Sequence, residues 1–196
     1  MAQATDAKEH PPAASAPSAA ACCAQLAAQA KWPLALEKTE VKLGEQSPMH
    51  DFGDGAQPYL LIALPELVKP YSFTVSDLLQ APRAFSGDPF TRLALHIQTL
   101  DANYQPKRTY SYSGMKKRGS AYEKTIFMNP QNNDEKYVLV RGVPSAAPEE
   151  VVISRLDMVF VGTGFFMGGT DHKLVLHSVA KGAVLVEPKG LEPVAK

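Results

Sequence analysis

The chain has 196 residues, and 20 Lys and Arg residues balance 20 Asp and Glu residues, so its formal net charge is zero. Proteins that bind nucleic acids non-specifically normally carry a basic excess, so this balance argues against that class. With 45% hydrophobic and 20% charged residues, the composition is typical of a globular protein. Sixteen prolines and thirteen glycines interrupt the chain too often for a helical bundle.

The N-terminal segment differs in composition from the rest. Residues 1–21 are rich in Ala and Pro, and they predict a flexible leader because they offer little apolar surface to offset the entropy of ordering. Residues 20–31 predict a short helix that ends at Trp32-Pro33. The leader lacks the basic and apolar regions of a secretory signal. The chain is therefore either cytosolic, or an exported protein in which Met1 replaces a removed signal peptide.

Short segments rich in β-forming residues follow the helix, with Gly, Pro, Asn and Asp between them. Alternation at residues 92–98 places Leu93, Leu95 and Ile97 on one face of a strand. Further strands are predicted at residues 39–43, 59–64, 71–75, 109–113, 124–128, 136–141, 173–177 and 183–187. This pattern predicts a mainly β protein. We expect an antiparallel β-sandwich, jelly-roll or immunoglobulin-like, over residues 22–188, with a tail at 189–196.

Two later segments are harder to assign. Residues 148–161 begin with Pro-Glu-Glu, as helices do, but their Val and Ile residues favour a strand, so we expect a helical first turn that runs into a strand. The glycine-rich residues 162–169 lack the following helix that a dinucleotide fingerprint requires. They predict a loop, whose apolar tip would be a candidate contact for a partner protein at Phe165, Phe166 and Met167.

The sequence contains no recognisable catalytic or metal-binding motif. Cys22 and Cys23 are adjacent and form no CxxC pair, so they are two thiols, a vicinal disulfide or sites of intermolecular bridges. Asp51 and Asp54 do not have calcium-loop spacing and are explained by a turn. No Ser lies in a GxSxG elbow. We therefore predict a protein that is not an enzyme, with no metal and no cofactor, and with no apolar stretch long enough to span a membrane.

One segment has the composition of a ligand-binding surface. Between Tyr104 and Tyr122 there is no acidic residue, and aromatic and basic residues alternate. Such groups stack on sugar or base rings and pair with phosphate or sulfate groups. Because the net charge is zero, a glycan is favoured over a nucleic acid; a plain surface hairpin is the alternative. The candidate ligand-binding residues are Tyr104, Lys107, Arg108, Tyr110, Tyr112, Lys116, Lys117 and Arg118.

The order of the segments resembles the MalM family, named after the maltose operon periplasmic protein. The similar segments are Cys22-Cys23, Trp32-Pro33-Leu34, Ser47-Pro48, Asp51-Phe52, residues 59–65, 100–106 and 137–140, and His177-Ser178. The resemblance implies a periplasmic protein whose signal peptide has been removed, with an accessory, non-enzymatic role linked to maltodextrin uptake or glycan contact. It implies no catalytic residues. The alternative function is that of a structural or adaptor subunit that binds another protein of the cell envelope.

Overall fold

The computed structural model describes residues 26–53, 55–78, 89–119, 121–144, 147–161 and 164–192, apart from the side chains of 153–167, 170 and 172. The predicted leader, with Cys22 and Cys23, lies outside the described residues. Within these ranges the chain is mainly β, as predicted, with strands numbered β1–β14 in chain order. Residues 26–28 form a short helical turn.

The first sheet is mostly antiparallel and contains six strands. In spatial order five of them are β1 (Trp32–Pro33), β4 (Ala56–Ala63), β11 (Glu135–Gly142), β7 (Leu95–Asp101) and β8 (Pro106–Tyr110). The sixth, β3 (Met49–Asp51), pairs with β4 through a hairpin. Only β1 runs parallel to its neighbour.

The second sheet is antiparallel and has five strands. In spatial order they are β2 (Thr39–Leu43), β14 (Gly182–Lys189), β5 (Tyr71–Asp77), β10 (Ala121–Met128) and β9 (Lys116–Arg118). A third, smaller sheet joins β12 (Glu149–Val161), β13 (Gly164–Val179) and β6 (Phe90–Leu93). Tyr112–Gly114 and Pro130–Asn132 form 3₁₀ turns.

The main core lies between the first and second sheets. Leu60 and Ile62 of β4 belong to the same buried cluster as Phe73 and Val75 of β5 and Ile126 of β10. From Tyr71 to Val75 of β5 the buried residues alternate with half-buried Ser and Thr, which is the pattern of a strand with one face on a core. This arrangement confirms the predicted β-sandwich.

A second apolar cluster covers the opposite face of the first sheet, called here the outer face. Leu26, in the helical turn, is buried against Tyr59 and Leu61 of β4 and Leu139 of β11. The turn that begins at Leu26 therefore packs on the sheet. The part of the predicted helix that precedes it is outside the described residues.

Five sequence-based predictions were wrong. The predicted helix at 20–31 is not helical at residues 29–31. The predicted strand at 109–113 ends at Tyr110, and a 3₁₀ turn follows at Tyr112–Gly114. The predicted strand at 92–98 is interrupted at Ala94, so that β6 joins the third sheet and β7 the first. Residues 149–161 form strand β12 with no helical first turn, because they pair with β13 along their whole length. The predicted loop tip at Phe165–Met167 lies in β13 instead, paired with Met158–Phe160.

Candidate functional site

The predicted Tyr-rich and basic segment reaches several different surfaces. It runs from the β7–β8 turn through β8, a 3₁₀ turn and β9 to the start of β10. Tyr104 packs on the outer face of the first sheet, whereas Tyr110 packs against the main core. Tyr112 contacts Glu149 at the start of β12. The structure therefore does not bring the predicted binding residues together on one surface.

Tyr104 stacks on Tyr137, a residue of β11 that the sequence reasoning missed. The two ring centroids are 4.7 Å apart and the ring planes differ by 8°. Lys31 Nζ lies 5.6 Å from the centroid of Tyr104 and 5.9 Å from that of Tyr137, within cation–π range. A hydrogen bond with Tyr104, together with burial, raises the pKa of the Tyr137 hydroxyl. We call Tyr104 and Tyr137 the tyrosine pair.

The turn between β7 and β8 positions Tyr104. Asp101 Oδ1 accepts hydrogen bonds from the backbone N–H groups of Asn103 (2.8 Å) and Gln105 (2.9 Å). Tyr104 has a φ of 62°, in the left-handed region that non-glycine residues seldom occupy. Such strain costs about 1–3 kcal/mol and is concentrated at functional sites. The turn therefore holds the Tyr104 ring in place at an energetic cost.

Polar side chains follow the tyrosine pair along the outer face of the first sheet, beyond the position where Tyr137 is opposite Leu100. Gln98 of β7 is opposite Leu139 of β11, and its Nε2 donates to Thr109 Oγ1 of β8 at 3.3 Å. His96 is opposite Arg141, which donates to Gln57 Oε1 at 2.8 Å. The outer face therefore combines aromatic rings with hydrogen-bonding groups.

A cleft of about 490 Å³ opens beside Tyr59 of β4. It lies between the helical turn and the β3–β4 hairpin, and is lined by Ala28, Gln29, Met49, His50, Asp51, Ala56 and Tyr59. Asp51 serves the hairpin turn, as the sequence predicted, because its Oδ1 accepts from the N–H groups of Gly53 and Gly55. The cleft gives the outer face a recess of the size that small ligands occupy.

Most of the basic residues in the segment have acidic partners from elsewhere in the chain. Lys107 pairs with Asp134 at 2.6 Å, Arg108 with the buried Glu135 at 2.5 Å, and Arg118 with Glu123 at 2.9 Å. Lys116 and Lys117 are exposed on β9, and neither forms an ion pair with a described residue. The segment is therefore less available to an anionic ligand than its composition suggests.

Tyr112 belongs to a partly buried charged group, called here the anchor cluster: Asp77, Arg92, Tyr112, Tyr122 and Glu149. Arg92 is 2% exposed and pairs with Asp77 of β5, and its Nη1 lies 3.3 Å from Glu149 Oε2. The hydroxyls of both tyrosines donate to Glu149. The Arg92 guanidinium carbon lies 3.7 Å from the ring centroid of Tyr122 and 4.6 Å from that of Tyr112.

Burial and the neighbouring hydrogen bonds and charges shift the carboxyl pKa values of the anchor cluster in opposite directions. Desolvation raises the pKa of Asp77, although a 2.6 Å hydrogen bond from the Tyr122 N–H and the charge of Arg92 act against it. Burial also acts to raise the pKa of Glu149, but the two tyrosine hydroxyls and Arg92 outweigh it and lower that pKa. Desolvation, followed by the bond to Glu149, raises the pKa of both Tyr112 and Tyr122. The cluster connects the second sheet to the third through one shared set of charges.

The sequence reasoning missed Asp77, Arg92 and Glu149 as partners. The available signal was an Arg directly beside the buried run that starts at Leu93, since a charge next to core positions needs a counter-charge. No local pattern identifies which acidic residue supplies that charge.

The fold and these contacts define a β-sandwich protein with an aromatic, partly polar outer face. No family model, curated protein or solved structure matches the chain. Among the described residues, no helix has the length and apolar character needed to cross a membrane. The same part of the chain contains no group of three or more His, Cys, Asp or Glu residues suited to a metal ion.

Proposed function

We propose that the protein is a non-enzymatic accessory protein of the periplasm that contacts a carbohydrate through the outer face of its first sheet. The resemblance to the MalM family makes maltodextrin the first ligand to test. The observation that carries the proposal is the tyrosine pair, held by a strained turn and flanked by Lys31.

The chemistry of a sugar suits such a surface. A pyranose ring presents an apolar C–H face that packs on an aromatic ring, and its hydroxyls require hydrogen-bond donors and acceptors beside that ring. Gln98 of β7 and Thr109 of β8 supply such groups two residues along the sheet from Tyr137. His96 of β7 lies four residues along, opposite Arg141. In this proposal Tyr104 is retained from the predicted set and Tyr137 is added. Lys107 and Arg108 are not assigned to the contact, because they are engaged in ion pairs with Asp134 and Glu135.

Thermal unfolding in the presence of maltodextrin tests this function. A ligand at 100 times its Kd adds about 2.7 kcal/mol of stability. At roughly 2–4 °C per kcal/mol for a domain of this size, the melting temperature should rise by about 5–11 °C. An unrelated envelope glycan in a parallel titration shows whether the response is specific to maltodextrin. No saturable rise with either glycan would contradict the proposal.

A pair of variants locates the site. Tyr137→Ala removes one ring of the tyrosine pair and should abolish the ligand-induced rise. Phe127→Ala is the matched control, because it removes an aromatic ring that is 62% exposed on β10 of the second sheet. A rise that survives Tyr137→Ala, or that Phe127→Ala removes equally, would place the ligand elsewhere.

A second function, that of a structural or adaptor subunit of an envelope assembly, is favoured by the β12–β13 hairpin. Its strands have 13 and 16 residues, longer than most strands of globular proteins. Only residues 176–179 of β13 pair with β6. Phe165, Phe166 and Met167 in this hairpin remain the proposed contact. Co-purification of a defined partner that is lost with Phe165→Ser plus Phe166→Ser supports this function, and a partner retained by that variant argues against the contact.

A further inference from the structure

Strand β12 forms an edge of the third sheet. It pairs with β13 on one side, from Glu149 to Val161, and within the described ranges no strand pairs with its other side. An open edge presents a row of free backbone N–H and C=O groups that can pair with another strand. A two-stranded hairpin is also marginally stable by itself. The long outer part of this hairpin would therefore gain stability from an additional strand.

Most residue types along β12 are arranged symmetrically about Leu156, with Ser154 and Met158 as the exception. Arg155 precedes Leu156 and Asp157 follows it, so opposite charges flank the centre. Further out, the apolar residues 151–153 mirror the apolar residues 159–161. A segment with this symmetry is complementary to its own sequence when the two copies run antiparallel.

We propose that the open edge of β12 binds β12 of a second copy of this chain, antiparallel and with the two-fold axis at Leu156. In this register Arg155 of each copy is opposite Asp157 of the other. Ile153 is likewise opposite Val159, a pairing of β-branched residues that stabilises antiparallel strands. The two hairpins then form one four-stranded sheet in the order β13-β12-β12-β13.

The charges select this register over its neighbours. A two-fold axis perpendicular to the sheet keeps each residue on its own face. The axis must therefore lie between one residue and the same residue of the second copy, so the neighbouring registers place the axis at Arg155 or at Asp157 instead of Leu156. An axis at Arg155 would bring the two Arg155 residues opposite each other. An axis at Asp157 would bring the two Asp157 residues together. Like charges directly opposite each other destabilise a strand pair, so the axis at Leu156 is favoured.

Sedimentation equilibrium of the full chain and of charge variants tests the proposal. The wild-type chain should form a concentration-dependent dimer. Arg155→Asp places two acidic residues opposite each other at two symmetry-related positions and should raise the dimer Kd about tenfold or more. Lys173→Glu is the matched control, because it changes the charge by the same amount on β13, away from the pairing edge. It replaces an exposed ion pair with Glu150 by an exposed like-charge contact, so the Kd should remain close to that of the wild type.

The charge swap Arg155→Asp plus Asp157→Arg restores opposite charges across the two-fold axis and should restore the wild-type Kd. Asp157→Arg alone provides a second single reversal if Arg155→Asp does not fold, and thermal unfolding of each variant checks folding. A wild-type chain that is monomeric up to about 100 μM overturns the proposal. So does a dimer that Arg155→Asp weakens no more than Lys173→Glu does, or one that the charge swap fails to restore.

Discussion

Replacing Arg92 by Met is expected to destabilise the protein strongly. The side chains of Arg92 and Asp77 are 2% and 1% exposed, so the ion pair between them is removed from water. Met fills much of the volume of the Arg stem but leaves the Asp77 carboxylate buried without its counter-charge. Removing one partner of a buried ion pair costs about 3–5 kcal/mol.

That cost is large enough to measure by thermal or urea unfolding. At roughly 2–4 °C per kcal/mol, the melting temperature of Arg92→Met should fall by about 6–20 °C. The double variant Arg92→Met plus Asp77→Asn removes both charges, and it should be more stable than the two single effects added together predict. A loss below about 1 kcal/mol for Arg92→Met, or strict additivity in the double variant, would refute the coupling argued from the structure.

The pH dependence of this variant provides an independent check. Burial already raises the pKa of Asp77, and removing Arg92 takes away a group that lowers it. A carboxyl with a raised folded-state pKa contributes stability below its unfolded pKa and loses that contribution as the pH rises through the folded value. The difference in stability between wild type and Arg92→Met should therefore shrink as the pH falls from 7 towards about 4. A difference that stays constant would show that Asp77 is not the group left unpaired.

Two further substitutions test the packing and the hydrogen bonds. A Cβ added at Gly142 would lie 2.7 Å from Leu93 Cδ2, so Gly142→Ala should lower the free energy of unfolding by about 1–3 kcal/mol. Gly44→Ala is the control, because no atom lies within 4 Å of the added Cβ, and its free energy of unfolding should stay within about 0.5 kcal/mol of wild type. Equal effects of the two would contradict the close approach. Tyr122→Phe removes a hydrogen bond to the Glu149 carboxylate and should cost about 1 kcal/mol at pH 7. Because the pKa of Glu149 is lowered, that stabilisation exists above the unfolded pKa and is lost on acidification, so the two proteins should converge below about pH 4.

The strand content and much of the core could be predicted from the sequence. Leu95 and Ile97 of β7 are fully buried, as their alternation predicted, because side chains two residues apart on a strand share a face whatever the strand pairs with. Leu93 is also fully buried, but it lies in β6, on the other side of the interruption at Ala94. The turn at Asp51 was also predictable, because a short acidic side chain accepts hydrogen bonds from backbone N–H groups that follow it closely in the chain. The periplasmic location, the MalM-like role and the glycan contact stay predictions.

Only the tertiary structure decided which side chains meet. The segment from Tyr104 to Tyr122 contains no acidic residue, yet Asp134, Glu135 and Glu123 pair with three of its basic residues across strands. Tyr104 finds Tyr137 in the same way, on a strand that follows much later in the chain. Alternation specifies a face but not a neighbour, because the neighbour depends on strand order and register. The composition of this segment was therefore visible in the sequence, whereas its division between the tyrosine pair, the ion pairs and the anchor cluster was set by the packing of the sheets.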